Sequence, residues 1–284
     1  MASIDIDHLK RWIGKTESAD DHVTPVPVAA LYATLDLDTA MSQPGDPLPP
    51  LWHWLYFLPI HRQSALSQNG HPQLGDFMPP IPLQRRMYAG GRLQFHLPLQ
   101  VGDAINRTST IADVNYKLGR TGPLVILKIS HAISNRQGLA ITEEQNIVYR
   151  TDPGTGSPAP SYQSAPAQQT WQREMTTDPV LLFRFSALTF NGHRIHYDYP
   201  YVTGVEGYPG LVVHGTLLAV LLLDLLRRHM PEAQLLEFSF RALKPIFNTA
   251  PFYLCGAVAE HQRVHLWVKD TDGMLCFDAA ATLR

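Results

Sequence analysis

Hydrophobic and polar positions alternate along much of the chain, with the period of two that is typical of β-strands. Four strand-like segments follow one another in the first half, separated by short turns that contain Gly or Asn: residues 92–97, 103–114, 123–134 and 140–150. Four more lie near the C-terminus: residues 236–242, 251–260, 264–269 and 273–283. Each set predicts an antiparallel meander.

One long segment interrupts this alternation. Residues 211–229 include GTLLAVLLLDLLRRH, which is hydrophobic on most faces of a helix and is therefore predicted to be buried on most sides. A shorter helix-like stretch covers residues 8–13. A very apolar helix followed by an antiparallel meander is the arrangement of a hotdog unit, in which the sheet wraps around the helix.

A change in composition divides the chain. Residues 151–178 are rich in Pro, Gly, Ser, Ala and Gln and contain almost no aliphatic side chains, which is typical of a linker. The prediction is an α+β double hotdog, with an N-terminal unit over residues 1–150 and a C-terminal unit over residues 179–284. The two halves show no clear residue-level repeat, so this prediction depends on the pattern of elements.

Composition and charge exclude some classes of function. The chain of 284 residues has 45% hydrophobic and 17% charged residues and a net charge of -2, so it has no general attraction for nucleic acid or anionic membranes. The longest apolar run, residues 217–226, is far shorter than the roughly 20 residues that span a bilayer. We therefore expect a cytoplasmic protein without a membrane partner. Cys255 and Cys276 lie in apolar, strand-like runs and are predicted to be buried, reduced thiols.

The candidate chemistry is concentrated in FSALTFNGHRIHYDYPYVTGVEGYPGLVVHG, residues 185–215, directly before the apolar helix. Polar groups next to a buried segment have to be hydrogen-bonded or functional. The helix is expected to start near Gly215 or Thr216. Its first N–H groups would lack intrahelical partners and could stabilise a developing oxyanion.

These residues resemble the MaoC-like (R)-specific enoyl-CoA hydratases and the hydroxyacyl-thioester dehydratases of type 2. The family's catalytic His matches His196, and its His-Gly pair, which opens the central helix, matches His214 and Gly215. Asn191 stands where the family has Asp. SALTFNGHRIHYD and VEGYPGLVVHG closely resemble a subgroup that includes bacterial mesaconyl-CoA and itaconyl-CoA hydratases. The segment GHPQLGDFMPPIPLQRRMYAGGRLQFHLPLQVGD resembles the N-terminal unit of those bacterial members.

The resemblance implies hydration or dehydration of an acyl-CoA thioester, with no cofactor and no metal. It implies that His196 is the base and that the N–H of Gly215 stabilises the thioester oxyanion. Asn191 cannot transfer a proton at neutral pH, so we expect it to hold the water by hydrogen bonds. For Asp198 we favour a turn or capping role, and His193 is expected to be structural or to support the catalytic residues without touching the substrate. His214 either contacts the substrate or fixes the turn into the helix.

The substrate end is predicted from Arg85, Arg86 and Tyr88, because arginine binds carboxylates and phosphates. With the resemblance, this favours a short dicarboxylic substrate such as mesaconyl-CoA or itaconyl-CoA, hydrated to citramalyl-CoA. The bulky run from Trp52 to Phe57 also favours a small acyl group. A long-chain hydroxyacyl-thioester dehydratase and a non-catalytic thioester-binding module stay open as alternatives, and a homodimer is considered by analogy alone.

Overall fold

The computed structural model describes residues 4–37, 43–119, 122–151, 161–259 and 262–284. The strands are β1 Thr16–His22, β2 Arg85–Phe95, β3 Ala104–Gly119, β4 Gly122–Asn135, β5 Gly138–Arg150, β6 Trp171–Met175, β7 Leu235–Ala242, β8 Phe252–Val258, β9 Arg263–Asp270 and β10 Leu275–Leu283. The α-helices are α1 Ile6–Lys10, α2 Pro25–Thr34, α3 Pro179–Leu188, α4 Tyr199–Gly204 and α5 Gly215–His229. Within the described ranges, the strands form one ten-stranded sheet in the order β1-β3-β4-β5-β2-β7-β10-β9-β8-β6.

The two halves of this sheet have the same strand order. In the first unit β1 is followed across the sheet by β3, β4, β5 and β2, and in the second unit β6 is followed by β8, β9, β10 and β7. The helix α2 lies between β1 and β2 in the chain, and α5 lies between β6 and β7. The halves join where β2 pairs with β7, residues 90–94 against 237–241, and every strand pair is antiparallel. This duplicated topology is the predicted one.

The helix α5 is the apolar helix expected from the sequence, and it begins at Gly215, as predicted from the polar segment before it. Every residue from 217 to 226 is buried, including Asp224. A buried carboxylate needs partners, and Asp224 accepts hydrogen bonds from Arg173 at 3.1 Å and from Arg227 and Arg228 at 2.8 Å each. These contacts join the end of α5 to β6. Two of the three arginines lie in the last turn of α5, where positive charge favours the helix dipole.

Several elements differ from the sequence-based prediction. The helices α3 and α4 were not predicted, and β2 begins at Arg85 rather than at residue 92. The strand β1 and the helix α2 were not expected, because β1 is polar and α2 contains two prolines in its first turn. The strand β6 lies inside the segment assigned to the linker, and it pairs with β8 as the outer strand of the second unit. Residues 152–160 of that segment lie outside the described residues. The proposed unit boundaries stay a prediction.

Cys255 and Cys276 are buried free thiols, as predicted. The described part of the chain contains no helix that is both long and apolar enough to span a membrane.

Candidate active site

A cavity of about 1210 Å³ lies at the junction of the two units. The first unit contributes β2 and the loop around His71, and the second contributes residues 186–197 and the start of α5. The cavity therefore collects Asn191, His196, His214 and Gly215, the residues predicted from the polar segment, together with Arg85, Arg86 and Tyr88. No group of His, Cys, Asp and Glu side chains within the described residues has an arrangement that could hold a metal ion.

His196 ends a short 3-10 turn, Arg194–His196, at the edge of the cavity. Its Nδ1 lies 2.7 Å from the carbonyl oxygen of Val212, so Nδ1 carries the ring proton and donates a hydrogen bond to that carbonyl. The other nitrogen, Nε2, then has a free lone pair. Burial lowers the pKa of His196 to about 4. The ring is consequently neutral at pH 7 and can accept a proton at Nε2.

His214 supports the ring of His196 from one side. The two rings stack at a centroid distance of 3.7 Å and an interplanar angle of 17°. His214 is itself held by Ser186, whose Oγ lies 2.8 Å from Nε2 of His214. Nδ1 of His214 is buried and has no hydrogen-bond partner among the described residues. This arrangement favours a role in positioning His196 over direct contact with the substrate.

Asn191 adopts a fixed orientation in the turn before His196. Its Oδ1 accepts a hydrogen bond of 3.1 Å from the backbone N–H of His193. Its own backbone N–H donates to the carbonyl of Ser186 at 2.8 Å. With Oδ1 engaged by the backbone, the amide Nδ2 is the group of Asn191 that can donate to a water in the cavity.

Gly215 is the first residue of α5, directly after the N-cap residue His214. The N–H groups of a first helical turn have no intrahelical partner and carry the positive end of the helix dipole. Gly215 lines the cavity, and a Cβ built on it would lie 3.8 Å from the ring of Phe277. The backbone N–H of Gly215 is therefore suitable for stabilising an oxyanion.

The two predicted arginines, Arg85 and Arg86, lie in different environments. Arg85 donates hydrogen bonds to the Glu206 carbonyl at 2.9 Å and to the hydroxyl of Tyr208 at 3.2 Å, and its Nε lies 3.5 Å from the Glu206 carboxylate. Arg86 has no ion pair or hydrogen bond with any residue that the structure describes, and its guanidinium lies 6.0 Å from the ring of Tyr149. Arg86 is therefore the better candidate for binding an anionic group of a ligand, while Arg85 holds the loop around Glu206.

Tyr88, the third predicted substrate residue, is only partly available. Its hydroxyl donates to the buried carboxylate of Glu143 at 3.2 Å, so the hydroxyl already has a partner, although Tyr88 lines the cavity. Asp198 has the capping role expected of it, because its carboxylate accepts from the N–H of Tyr201 at the start of α4 and pairs with Arg194.

The sequence did not indicate that His71 joins the site, where it lies beside His193. The ring of His193 lies 5.5 Å from that of His196, and His71, from the first unit, lies 4.2 Å from His193. Burial is the main cause that lowers the pKa of His71 and of His193, and the charge of Arg86 lowers both further. His71 belongs to the N-terminal segment that carried the family resemblance, which was the only available signal for it.

Comparison with known proteins identifies relatives over almost the whole chain. A family model described as hydroxyacyl-thioester dehydratase type 2 matches residues 51–248. The mesaconyl-C(4)-CoA hydratase of Chloroflexus aurantiacus is 47% identical over 96% of both chains. Among solved structures, a MaoC-like dehydratase superposes with a TM-score of 0.72 at 13% identity, covering 96% of this chain and 98% of its own. A conserved hypothetical protein of Mycobacterium tuberculosis with a double hotdog fold gives 0.56 at 15% identity over 96% of both chains. The predicted double hotdog is confirmed.

Proposed function

The chain belongs to the hydroxyacyl-thioester dehydratase type 2 family, and we propose that it adds water across the double bond of an enoyl-CoA thioester with a short dicarboxylic acyl group. The similarity to the hydratase of Chloroflexus aurantiacus over 96% of the chain supports this activity. Mesaconyl-CoA, hydrated to citramalyl-CoA, is the proposed substrate for the step below. Itaconyl-CoA has its double bond between the β- and γ-carbons, so a proton would first have to move from its α-carbon to its γ-carbon to give the same conjugated thioester. A cytoplasmic location and a homodimer stay predictions.

One observation supports the chemistry most directly, the short contact between His196 Nδ1 and the carbonyl oxygen of Val212, which assigns the tautomer of the ring. Because Nδ1 donates to Val212, Nε2 can take a proton from water in the cavity. The water oxygen then bonds to the β-carbon, and the electrons of the double bond move toward the thioester oxygen, which the N–H of Gly215 stabilises. Nε2 returns the proton to the α-carbon, so that one water has been added and His196 is neutral again.

Asn191 has a supporting role in this proposal. Nδ2 holds the attacking water by a hydrogen bond while Oδ1 stays bonded to the backbone. The aspartate found at this position in the family could take part in proton transfer, whereas the amide of Asn191 cannot. His196 therefore both removes the proton from water and delivers it to the α-carbon. His214 and Ser186 keep its ring in place.

Arg86 is the side chain that we propose binds the free carboxylate of the acyl group. It lines the cavity and has no competing anionic partner in the described residues, whereas Arg85 is engaged by Glu206. A guanidinium can bind a carboxylate through two parallel hydrogen bonds. Crotonyl-CoA has no such carboxylate and should be a much poorer substrate than mesaconyl-CoA.

The test uses purified protein and follows the loss of enoyl-thioester absorbance with mesaconyl-CoA and crotonyl-CoA. His196→Asn keeps a donor for the Val212 carbonyl but has no basic nitrogen, and we expect kcat to fall by at least about 100-fold. His22→Asn, at an exposed position of β1, is the matched control. Full activity of His196→Asn would contradict the proposed mechanism. Equal kcat/KM for the two thioesters would contradict the proposal that the protein recognises a free carboxylate on the acyl group.

The second candidate function is dehydration of a hydroxyacyl thioester in fatty acid synthesis, which the description of the family model favours. The same residues would carry out the reverse reaction. Faster turnover of a long-chain hydroxyacyl thioester than of citramalyl-CoA would favour this function. Binding without turnover of either class would instead favour a non-catalytic thioester-binding module.

A further inference from the structure

A row of aromatic rings leads from the proposed oxyanion site into the first unit. Phe277 lies next to Gly215, and Phe240 stacks on Phe277 at a centroid distance of 5.2 Å. Tyr88 and Trp54 then meet Phe240 edge-on, at 5.4 Å and 6.4 Å. Trp54 and Tyr88 both line the main cavity. Phe240 is buried and does not line this cavity, so an acyl chain that starts at Gly215 would run past Phe277. It would end at Trp54 and Tyr88, which we call the end wall.

The end wall is held by one buried carboxylate. Glu143 is only 2% exposed, and it accepts hydrogen bonds from Trp54 Nε1 at 3.1 Å, from Tyr88 at 3.2 Å and from Gln145 at 2.8 Å. His53 Nε2 lies 3.0 Å from its other oxygen. Burial alone would raise the pKa of Glu143, but the hydrogen bond and charge of His53 hold it at about 2. Charge-assisted hydrogen bonds are stronger than neutral ones, so both rings are firmly fixed.

A second, smaller cavity of about 140 Å³ lies beyond the end wall. Trp54 and Gln145 line both cavities, so these two side chains form part of the partition between them. The second cavity is polar. His53 Nδ1, His131 Nε2 and Arg107 Nε are buried around it without a hydrogen-bond partner among the described residues. Such a space suits ordered water and is unfavourable for a hydrocarbon chain.

We propose that Trp54, fixed by Glu143, closes the acyl end of the main cavity and restricts the protein to short acyl groups. This inference rests on the proposed thioester substrate and adds the limit on its length. A longer chain would have to displace an indole that is hydrogen-bonded to a carboxylate. The end of the chain would then enter the second cavity and displace water from buried polar groups that have no other hydrogen-bond partner in the described residues.

The test replaces Trp54 and measures binding separately from turnover. Trp54→Leu removes the large ring but keeps an apolar side chain, and Glu143→Gln weakens the hold on the ring without changing its size. Trp171→Leu is the matched control, because Trp171 lies on β6, stacks on His229 and lines neither cavity. Binding of butyryl-CoA, hexanoyl-CoA and octanoyl-CoA is measured by calorimetry, and hydration of mesaconyl-CoA, crotonyl-CoA, hexenoyl-CoA and octenoyl-CoA by absorbance. Circular dichroism establishes that each variant is folded.

The wild type and Trp171→Leu should bind octanoyl-CoA at least about 100-fold more weakly than butyryl-CoA, since each methylene that does not fit costs a factor of about 10 or more. Trp54→Leu should reduce this ratio by at least about 10-fold, and Glu143→Gln should reduce it less. Octanoyl-CoA binding as tight as butyryl-CoA binding in the wild type would overturn the inference, as would an unchanged ratio in folded Trp54→Leu. The saturated thioesters need no turnover, so a length limit in binding without hydration of any enoyl-CoA would support the inference while removing the proposed function.

Discussion

The buried neutral state of His196 predicts how stability changes with pH. The pKa of His196 is about 4 in the folded protein, against 6.5 for an unperturbed histidine. Between these values the unfolded chain binds more protons than the folded one. Stability is therefore fully present above about pH 6.5, decreases as the pH falls below that value, and stops decreasing on account of this group below about pH 4. His196→Asn removes the titration but keeps a donor for the Val212 carbonyl.

The magnitude follows from the two pKa values. Lowering the pH from about 7.5 to about 5 should cost the wild type about 2 kcal/mol through His196 alone. His196→Asn should not show this loss of stability, because it has no group that titrates at this position. The positive charge of protonated His196 also lowers the pKa of His193 and of His214. His196→Asn removes this charge, so these two histidines should also cost the variant less stability at acidic pH.

The assay is urea unfolding of both proteins at the two pH values, followed by tryptophan fluorescence. The free energy of unfolding should fall more steeply in the wild type, by about 2 kcal/mol or somewhat more over this interval. If both proteins lost the same stability within about 0.5 kcal/mol, His196 would not be held neutral by burial, and the reasoning from its environment would be refuted.

Three further predictions concern other residues. Asn191→Ala should lower kcat/KM by about 100-fold because the water loses its donor, whereas Asn191→Asp should keep measurable activity; a wild-type rate for the alanine variant would make this residue purely structural. Arg86→Gln should raise KM for mesaconyl-CoA by about 10- to 100-fold, since a charge-assisted hydrogen bond is lost, but should change KM for crotonyl-CoA little. Equal effects on both thioesters would argue against carboxylate recognition. Asp224→Asn should lower the free energy of unfolding by about 2 kcal/mol, measured in urea, because three arginines lose a charged partner. An unchanged value would mean that water replaces these contacts without loss.

Elements with a strong local pattern could be predicted from the sequence, and elements stabilised by distant partners could not. The run from 217 to 226 has no polar face, so a buried helix was the expected outcome. The strand β1 reads TESADDH, whose mostly exposed side chains hide its pairing with β3. The strand β6 has exposed and half-buried positions in alternation, but Pro and Ser around it resemble a linker.

The same distinction applies to the candidate site. His196 and Gly215 could be located because their spacing matches a family motif within one segment. Arg85 and Arg86 are neighbours in the sequence, and only the position of Glu206, 121 residues away along the chain, distinguishes them. The contact of His71 with His193 also depends on the packing of the two units. Such long-range contacts leave no local periodicity.

The strand order gives the molecule two equivalent outer edges, β1 and β6, where unpaired backbone groups could recruit another chain. Both edges carry charge. β1 contains Glu17, Asp20 and Asp21, and β6 contains Arg173 and Glu174. Two copies of β1 placed side by side would bring carboxylates close together, which disfavours continuation of the sheet from one molecule to the next. The acidic β1 edge is thus a poor surface for continuing the sheet, and a homodimer is not expected to form through two copies of β1.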